Sequence, residues 1–347
     1  MSAKSLTAID LFCGAGGLTE GLKQAGFNVI AGVEINNLAA QTYKLNHKDS
    51  FCIENDIKNI SIEYLLNTLN LHVGELDLLA GCPPCQGFST LRTRKKTISM
   101  SDDRNDLIFE FLRLVEGLLP KCILLENVPA LAKDDRILIV INKLKELGYI
   151  INEKTLMVED VSKYGVPQRR KRMILKASRF GVIPEVELIS KKVSVRECFK
   201  QANLKSTKDS NDFLHNYEQK RSEKVKEIIL SIPKDGGSRS ELPEHLILEC
   251  HKKNPNQFND VYGRMKWDDI SPTITGGCIS PSKGRFLHPE EDRCITLREA
   301  SLLQTFPKQY KFPQISKTAI ALMIGNALPP EFIRKQALKL KEHLNDI

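Results

Sequence analysis

The chain has 347 residues, 41% hydrophobic and 27% charged, with a formal net charge of +8. That length allows one large domain or two unequal ones around an ample core, and the composition excludes a disordered or fibrous protein. No apolar run nears the ~20 residues that span a bilayer, the start MSAKSLTAIDLF lacks a signal-peptide pattern, and nine scattered cysteines argue for reduced thiols; a cytoplasmic protein without membrane attachment is expected.

The first 180 residues alternate strand and helix signals. TAIDLF is a short apolar run that stops at glycines, and a helical pattern follows from Leu18 to Ala25. NVIAGVEI reads as a second strand with its helix over Asn36 to Leu45. DLLAG (77–81) and CILLENV (122–128) suit buried parallel strands, with helical spacing over 106–119 and 134–147. Strands alternating with helices predict an α/β fold with a doubly wound, Rossmann-like sheet. After about Arg179 the chain becomes irregular, rich in charge and in scattered Gly, Pro, Asn and Ser. Regular structure returns with TLREASLLQTF and LPPEFIRKQALKLKEHL, where Pro sits at a first helical turn. The expected domains are therefore 1–179, an irregular insert over 180–292, and a C-terminal segment 293–347 that returns to the first.

The excess positive charge is localised. From Arg179 to Asp292 there are 19 basic and 18 acidic residues. The surplus lies in RTRKK (Arg92 to Lys96) and in KYGVPQRRKRMILKASR (Lys163 to Arg179), which holds seven cations and no acid. Two such clusters suit a polyanion, although a solvated strand end would explain either alone.

DLFCGAGG joins the first strand to its helix, where glycines let the backbone approach a ligand at a helix N-terminus. The G-x-G-x-x-G fingerprint is not met: Gly14 and Gly16 fit, but Thr19 occupies the third position. Glu34 lies 20 residues after Gly14 at the end of the second strand, placed to grip two ribose hydroxyls. The pair points to an adenosine-containing cofactor that need not carry a pyrophosphate, against a plain glycine turn with a surface Glu. Asp56, in IENDI, is a candidate for an adenine amino group or simply a turn residue.

GCPPCQGFS (81–89) sets Cys82 and Cys85 three positions apart around a Pro-Pro pair. Zinc needs four ligands, and the remaining cysteines are all single, so no metal is expected. A redox pair would normally open a helix. The third alternative is one nucleophilic thiol at the carboxyl end of a strand, favoured as thiolate by nearby positive charge. Glu126, in ENVP, ends the neighbouring strand in the same layer as Cys85 and is a candidate acid, or a structural hydrogen-bonding residue.

DLFCGAGG, PPCQGFS, ENVP, PQRRKR, REASLLQTFP and IGNALPP, in that order from Ile9 to Pro330, resemble the motif set of the DNA (cytosine-5) methyltransferases, with one unmatched gap at about 180–260. The resemblance implies a Rossmann-like methyltransferase sheet with a smaller target-recognition domain in the insert. It implies methyl transfer from S-adenosylmethionine to carbon 5 of a flipped cytosine in double-stranded DNA. Cys85 would be the nucleophile that adds to carbon 6, Cys82 a bystander, and Glu126 the acid at ring nitrogen 3. Arg170 and Arg172 would hold the flipped base and its phosphate. Phe12, Gly14, Gly16, Glu34, Ile35, Asp56 and Asn326 match positions around the cofactor, with Phe12 and Ile35 sandwiching the adenine. Gln86, Ser89, Arg92, Arg94, Lys95 and Lys96 fall in or beside a mobile loop that meets DNA, and Gln168, Thr273 and Thr275 are further DNA contacts. The resemblance also implies a stand-alone bacterial or phage enzyme, acting as a monomer, with a companion restriction endonuclease or as a solitary methylase.

Rival readings carry less of the sequence. A tRNA-cytosine methylating branch shares the catalytic motifs, but CISPSKGRF supplies only the cysteine of its Cys-Phe-Thr segment. A catalytically dead DNA-binding module would be expected to lack Cys85 or Glu126. A flavin or nicotinamide oxidoreductase leaves Pro-Pro-Cys-Gln and the basic run unexplained.

Overall fold

A computed structural model describes residues 5–84, 107–253 and 257–347. By compactness the chain divides into a first unit, Met1–Tyr164 with Lys171–Leu188 and Leu328–Ile347, and a second, Gly165–Arg170 with Ile189–Ala327. These boundaries differ from those suggested by composition: 293–327 clusters with the second unit and 180–188 with the first.

The first unit is built on a seven-stranded sheet. Its strands are β1 (Thr7–Leu11), β2 (Asn28–Glu34), β3 (Phe51–Glu54), β4 (Leu78–Gly81), β5 (Cys122–Asn127), β6 (Leu156–Asp160) and β7 (Lys171–Ser178), in the order β3-β2-β1-β4-β5-β7-β6. The first five are parallel, whereas β7 runs antiparallel to both β5 and β6. Every residue of β4 and β5 is buried, as their unbroken apolar runs require of strands covered on both faces. The helices α1 (Gly17–Gln24), α2 (Asn37–Asn46), α3 (Ile62–Leu69), α4 (Leu107–Leu118) and α5 (Asp135–Glu146) supply the connections. Side chains of Asn36, Ser61 and Asp134 cap α2, α3 and α5 by accepting from backbone amides, which satisfies donors the first helical turn leaves open.

The C-terminal helix, Pro330–Asn345, has Pro at its first turn and packs on α1. The approach is close: a Cβ on Gly21 would lie 2.5 Å from the Pro330 carbonyl oxygen and 2.6 Å from Ile333 Cβ. The chain thus ends against its first helix, so both termini contribute to one core.

The second unit contains the helices Val195–Ala202, Glu223–Ser231, Leu297–Leu303 and Lys317–Asn326 within largely irregular chain. One of its apolar clusters gathers Ile228, Ile229, Ile232, Leu242, Leu246, Tyr262, Leu287 and Cys294. Irregular backbone buries carbonyls that no helix or sheet satisfies, and one cation answers this. Fully buried Arg264 donates Nε to Ile232 O (3.0 Å), Nη1 to His288 O (3.0 Å) and Glu291 O (2.6 Å), and Nη2 to Ile229 O (2.8 Å), and it pairs with Asp292.

Candidate active site

The strand order reverses between β1 and β4, so their carboxyl ends flank the crevice where open α/β sheets take ligands. The turn after β1 carries Phe12, Gly14 and Gly16. Phe12 and Gly14 adopt φ of 62° and 55°, and Gly16 caps α1 at φ 91°. A Cβ at Gly14 would meet nothing within 4 Å, so open space lies beside the backbone there.

Two carboxylates fix this turn. Glu34, at the end of β2, accepts from Gly14 N through Oε2 (2.9 Å) and from Asn36 N through Oε1 (2.7 Å). Burial holds its carboxyl above the usual range against those amide donors. Asp10, inside β1, accepts through Oδ2 from both Thr19 N (3.1 Å) and Thr19 Oγ1 (2.7 Å). Burial pushes Asp10 up to about 7, and its buried Oδ1 has no hydrogen bond. Thr19, which breaks the glycine fingerprint, is therefore the partner of the strand's own acid. Sequence reasoning missed Asp10, although an Asp in β1 opposite a Thr in place of glycine was the available signal.

Ile35 follows Glu34 and is 66% exposed, an unusual position for a large apolar side chain at a strand end. Phe12 is half-buried against the main core. Asp56 caps a short turn, with Oδ1 accepting from Lys58 N (3.0 Å). Asn326 is the last residue of the helix Lys317–Asn326, exposed, and belongs to the second unit.

Beyond β4 lies Cys82. Gly81 pairs with Leu125, which sets Cys82 level with Glu126 on β5. Burial, the Glu126 and Asp10 carboxylates and a hydrogen bond with Glu126 push the Cys82 thiol well above its ordinary value, so it stays protonated and a poor nucleophile. It sits beside the acid. Glu126 is itself buried. Arg172 Nε, on β7, lies 2.7 Å from Glu126 Oε1, an ion pair that lacks the angle of a hydrogen bond. Asn127 donates Nδ2 to Pro83 O (2.9 Å) and so ties the two strand ends together. Cys85, Gln86, Ser89, Arg92, Arg94, Lys95 and Lys96 lie outside the described residues.

Within the basic run, Gln168 and Arg170 belong to the second unit. Arg170 is buried and donates to the carbonyls of Ile274 (3.0 Å), Gly325 (3.1 Å) and Ala327 (3.3 Å). Gln168, fully buried, accepts from Ile274 N (2.9 Å) and donates to Gln304 Oε1 (2.9 Å). Thr273 Oγ1 donates to Arg169 O (2.6 Å), whereas Thr275 is exposed and accepts from Gly277 N (3.3 Å). Gln168 and Arg170 thus hold the backbone of Ile274 from both sides, N–H and carbonyl. Among the described residues no group of His, Cys, Asp and Glu could hold a metal ion, and no helix is long and apolar enough to cross a membrane.

A glycine turn and a strand-end Glu beside a switch point, on a mixed seven-stranded sheet, define a Rossmann-like α/β enzyme of the methyltransferase type. A prophage-encoded DNA modification methyltransferase of E. coli has the same fold, with a TM-score of 0.69 at 25% identity over 99% of this chain and all of that one. The Dnmt2 methyltransferase of S. pombe matches it in fold, with a TM-score of 0.62 at 20% identity over 99% of this chain and all of that one. In sequence the chain is similar to the type II methylase M.HgiDII of Herpetosiphon aurantiacus, 36% identical over 98% of this chain and 96% of that protein. It is 30% identical to the type II methyltransferase M.Eco47II of Escherichia coli over 98% of this chain and 80% of that protein. Residues 6–342 match the C-5 cytosine-specific DNA methylase family, and the chain belongs to it. It is a DNA (cytosine-5) methyltransferase, of the kind found in restriction-modification systems.

Proposed function

We propose that the enzyme methylates carbon 5 of a flipped-out cytosine in a specific double-stranded DNA sequence, through a covalent adduct of Cys85 at carbon 6. The observation that supports this reading is the meeting of two strand ends at one switch point: the glycine turn after β1, and Cys82 to Pro84 after β4, where the Pro-Pro-Cys-Gln motif begins, with Glu126 alongside. S-adenosylmethionine, when bound, supplies an electrophilic methyl group. The open space at Gly14, the exposed face of Ile35 and the two oxygens of Glu34 suit its adenosine half. Phe12, Gly16, Asp56 and Asn326 belong to the same proposed set.

Cytosine carbon 5 is a weak nucleophile. Addition of the Cys85 thiolate at carbon 6 makes the ring an enamine, and a proton delivered through Glu126 to ring nitrogen 3 offsets the developing charge. Carbon 5 then takes the methyl group, loss of the carbon-5 proton expels the Cys85 thiolate, and nitrogen 3 returns its proton to Glu126. Arg172 beside Glu126 orients the carboxyl group, while Gln168 and Arg170 act as positioning residues for 273–277. Residues 180–292 are proposed to choose the sequence, with Thr273 and Thr275 at the DNA, and Gln86, Ser89, Arg92, Arg94, Lys95 and Lys96 as further contacts to it. A single chain acting in the cytoplasm beside a companion restriction endonuclease completes the reading, which draws on the type II relatives.

Base-resolution cytosine conversion of DNA from cells expressing the protein tests it: one sequence should carry 5-methylcytosine. Methylation on adenine or on the cytosine amino group would refute it.

A further inference from the structure

The second unit contains a cleft of about 430 Å³ that the catalytic assignment does not use. Its walls come from three separate stretches: Tyr217 to Arg221, Gly276 to Lys283, and the first turn of Lys317–Asn326. Four cations line it, Lys220, Arg221, Lys283 and Lys317, against one acid, Glu218. The three lysines are exposed, and none of the four cations is in an ion pair among the described residues. Elsewhere in this unit some exposed cations are paired, as in Arg196–Asp268 and Lys226–Glu223, and others, such as Lys192 and Lys205, stand singly among the described residues; the cleft gathers its cations at one place. An uncompensated cluster of this kind repels itself and gains most from a polyanion.

The cations are also held in place. Arg221 Nη2 donates to Ile279 O (2.6 Å), which ties the first wall to the second. Lys317 Nζ stands 4.1 Å from the centroid of the Tyr217 ring, a cation–π contact that fixes its direction. The stem of Lys283 lies over Gly277, where a Cβ would approach Lys283 Cβ to 2.8 Å; glycine is needed there for the lysine to lie flat. Gly276 and Gly277 immediately follow exposed Thr275, so the cleft continues the surface already assigned to DNA.

We propose that Lys220, Lys283 and Lys317, supported by Arg221 and Tyr217, form a clamp for the DNA backbone. Ammonium groups on flexible stems suit phosphate oxygens as point charges and carry no base code, so the clamp sets register and residence time while other groups read sequence. This inference rests on the second unit facing DNA, as proposed above.

The test compares the wild-type protein with a K220Q/K283Q/K317Q variant on the methylated duplex, measuring affinity across a salt series. Each lysine that meets a phosphate contributes about 0.9 to the slope of log affinity against log salt, so the slope should fall by about 2 to 3. The methylated sequence and the single-turnover rate on saturating DNA should not change, and the variant should melt with the wild type. An unchanged slope, or an altered methylated sequence at unchanged slope, would overturn the clamp. Failure of the wild-type chain to methylate any DNA would instead overturn the reading beneath it.

Discussion

Asp10 makes the stability of the first unit depend on pH in a direction opposite to that of an ordinary salt-bridged carboxylate. It is fully buried, its Oδ1 has no partner, and burial raises it from 3.8 to about 7, with the two Thr19 bonds opposing and Glu34 adding. Between pH 4 and 7 the folded chain therefore holds a proton that the unfolded chain has lost. Stability falls as pH rises through that window, and the full loss is present above about 7. At ~1.36 kcal/mol per pH unit the difference amounts to about 4 kcal/mol. Asp10→Asn keeps an acceptor for Thr19 and cannot ionise. Measured by urea unfolding with circular dichroism from pH 4 to 8, the variant should gain about 4 kcal/mol relative to the wild type across the range, whatever constant offset the amide introduces. A difference that stays flat within about 1 kcal/mol would show that Asp10 titrates normally and that its burial is compensated.

Glu34→Ala should weaken S-adenosylmethionine binding by calorimetry about 10- to 100-fold, since it removes charged acceptors worth about 1.5–3 kcal/mol and frees Gly14 N; an unchanged dissociation constant would sink the ribose assignment. Glu126→Gln should lower the single-turnover methylation rate by about two to four powers of ten, with DNA affinity much less affected; equal loss of both would make Glu126 a strut for Arg172. Arg264→Met should destabilise the second unit by about 3–5 kcal/mol, because it strands buried carbonyls and removes one of the two cations paired with Asp292; a shift in the urea midpoint worth less than 1 kcal/mol would contradict that role.

The parallel half of the fold was legible in the sequence for a local reason. Strands buried on both faces are apolar runs, and TAIDL, NVIAGVE, LLAG and CILLEN each stop at a residue that ends a strand. The helices expected from periodicity lie within a residue or two of α1, α2, α4 and α5. The antiparallel return of β7 was not legible, because the direction of KRMILKAS is set by its partners β5 and β6. Its charges drew attention to possible ligands instead. The same limit hid the burial of Arg170 and Gln168: their partners lie more than 100 positions away, and local pattern cannot tell a cation that binds phosphate from one that closes carbonyls. Thr19 pairs with Asp10 at only nine residues' separation, but its place at the third glycine of the fingerprint masks that local signal.

Covalent catalysis at cytosine is tested most directly by trapping the adduct. DNA carrying the methylated sequence, with 5-fluorocytosine in place of the target base, should be incubated with the protein and S-adenosylmethionine and then denatured. In the proposed mechanism Cys85 should add to carbon 6 and the methyl group should transfer, but fluorine would leave no proton to remove, so elimination would stop. The account predicts a protein–DNA complex that survives denaturation, with the adduct on the peptide containing Cys85, and no corresponding trap on 5-fluorocytosine RNA. Absence of the complex while the same preparation methylates ordinary cytosine in that sequence, or an adduct on another residue, would contradict it.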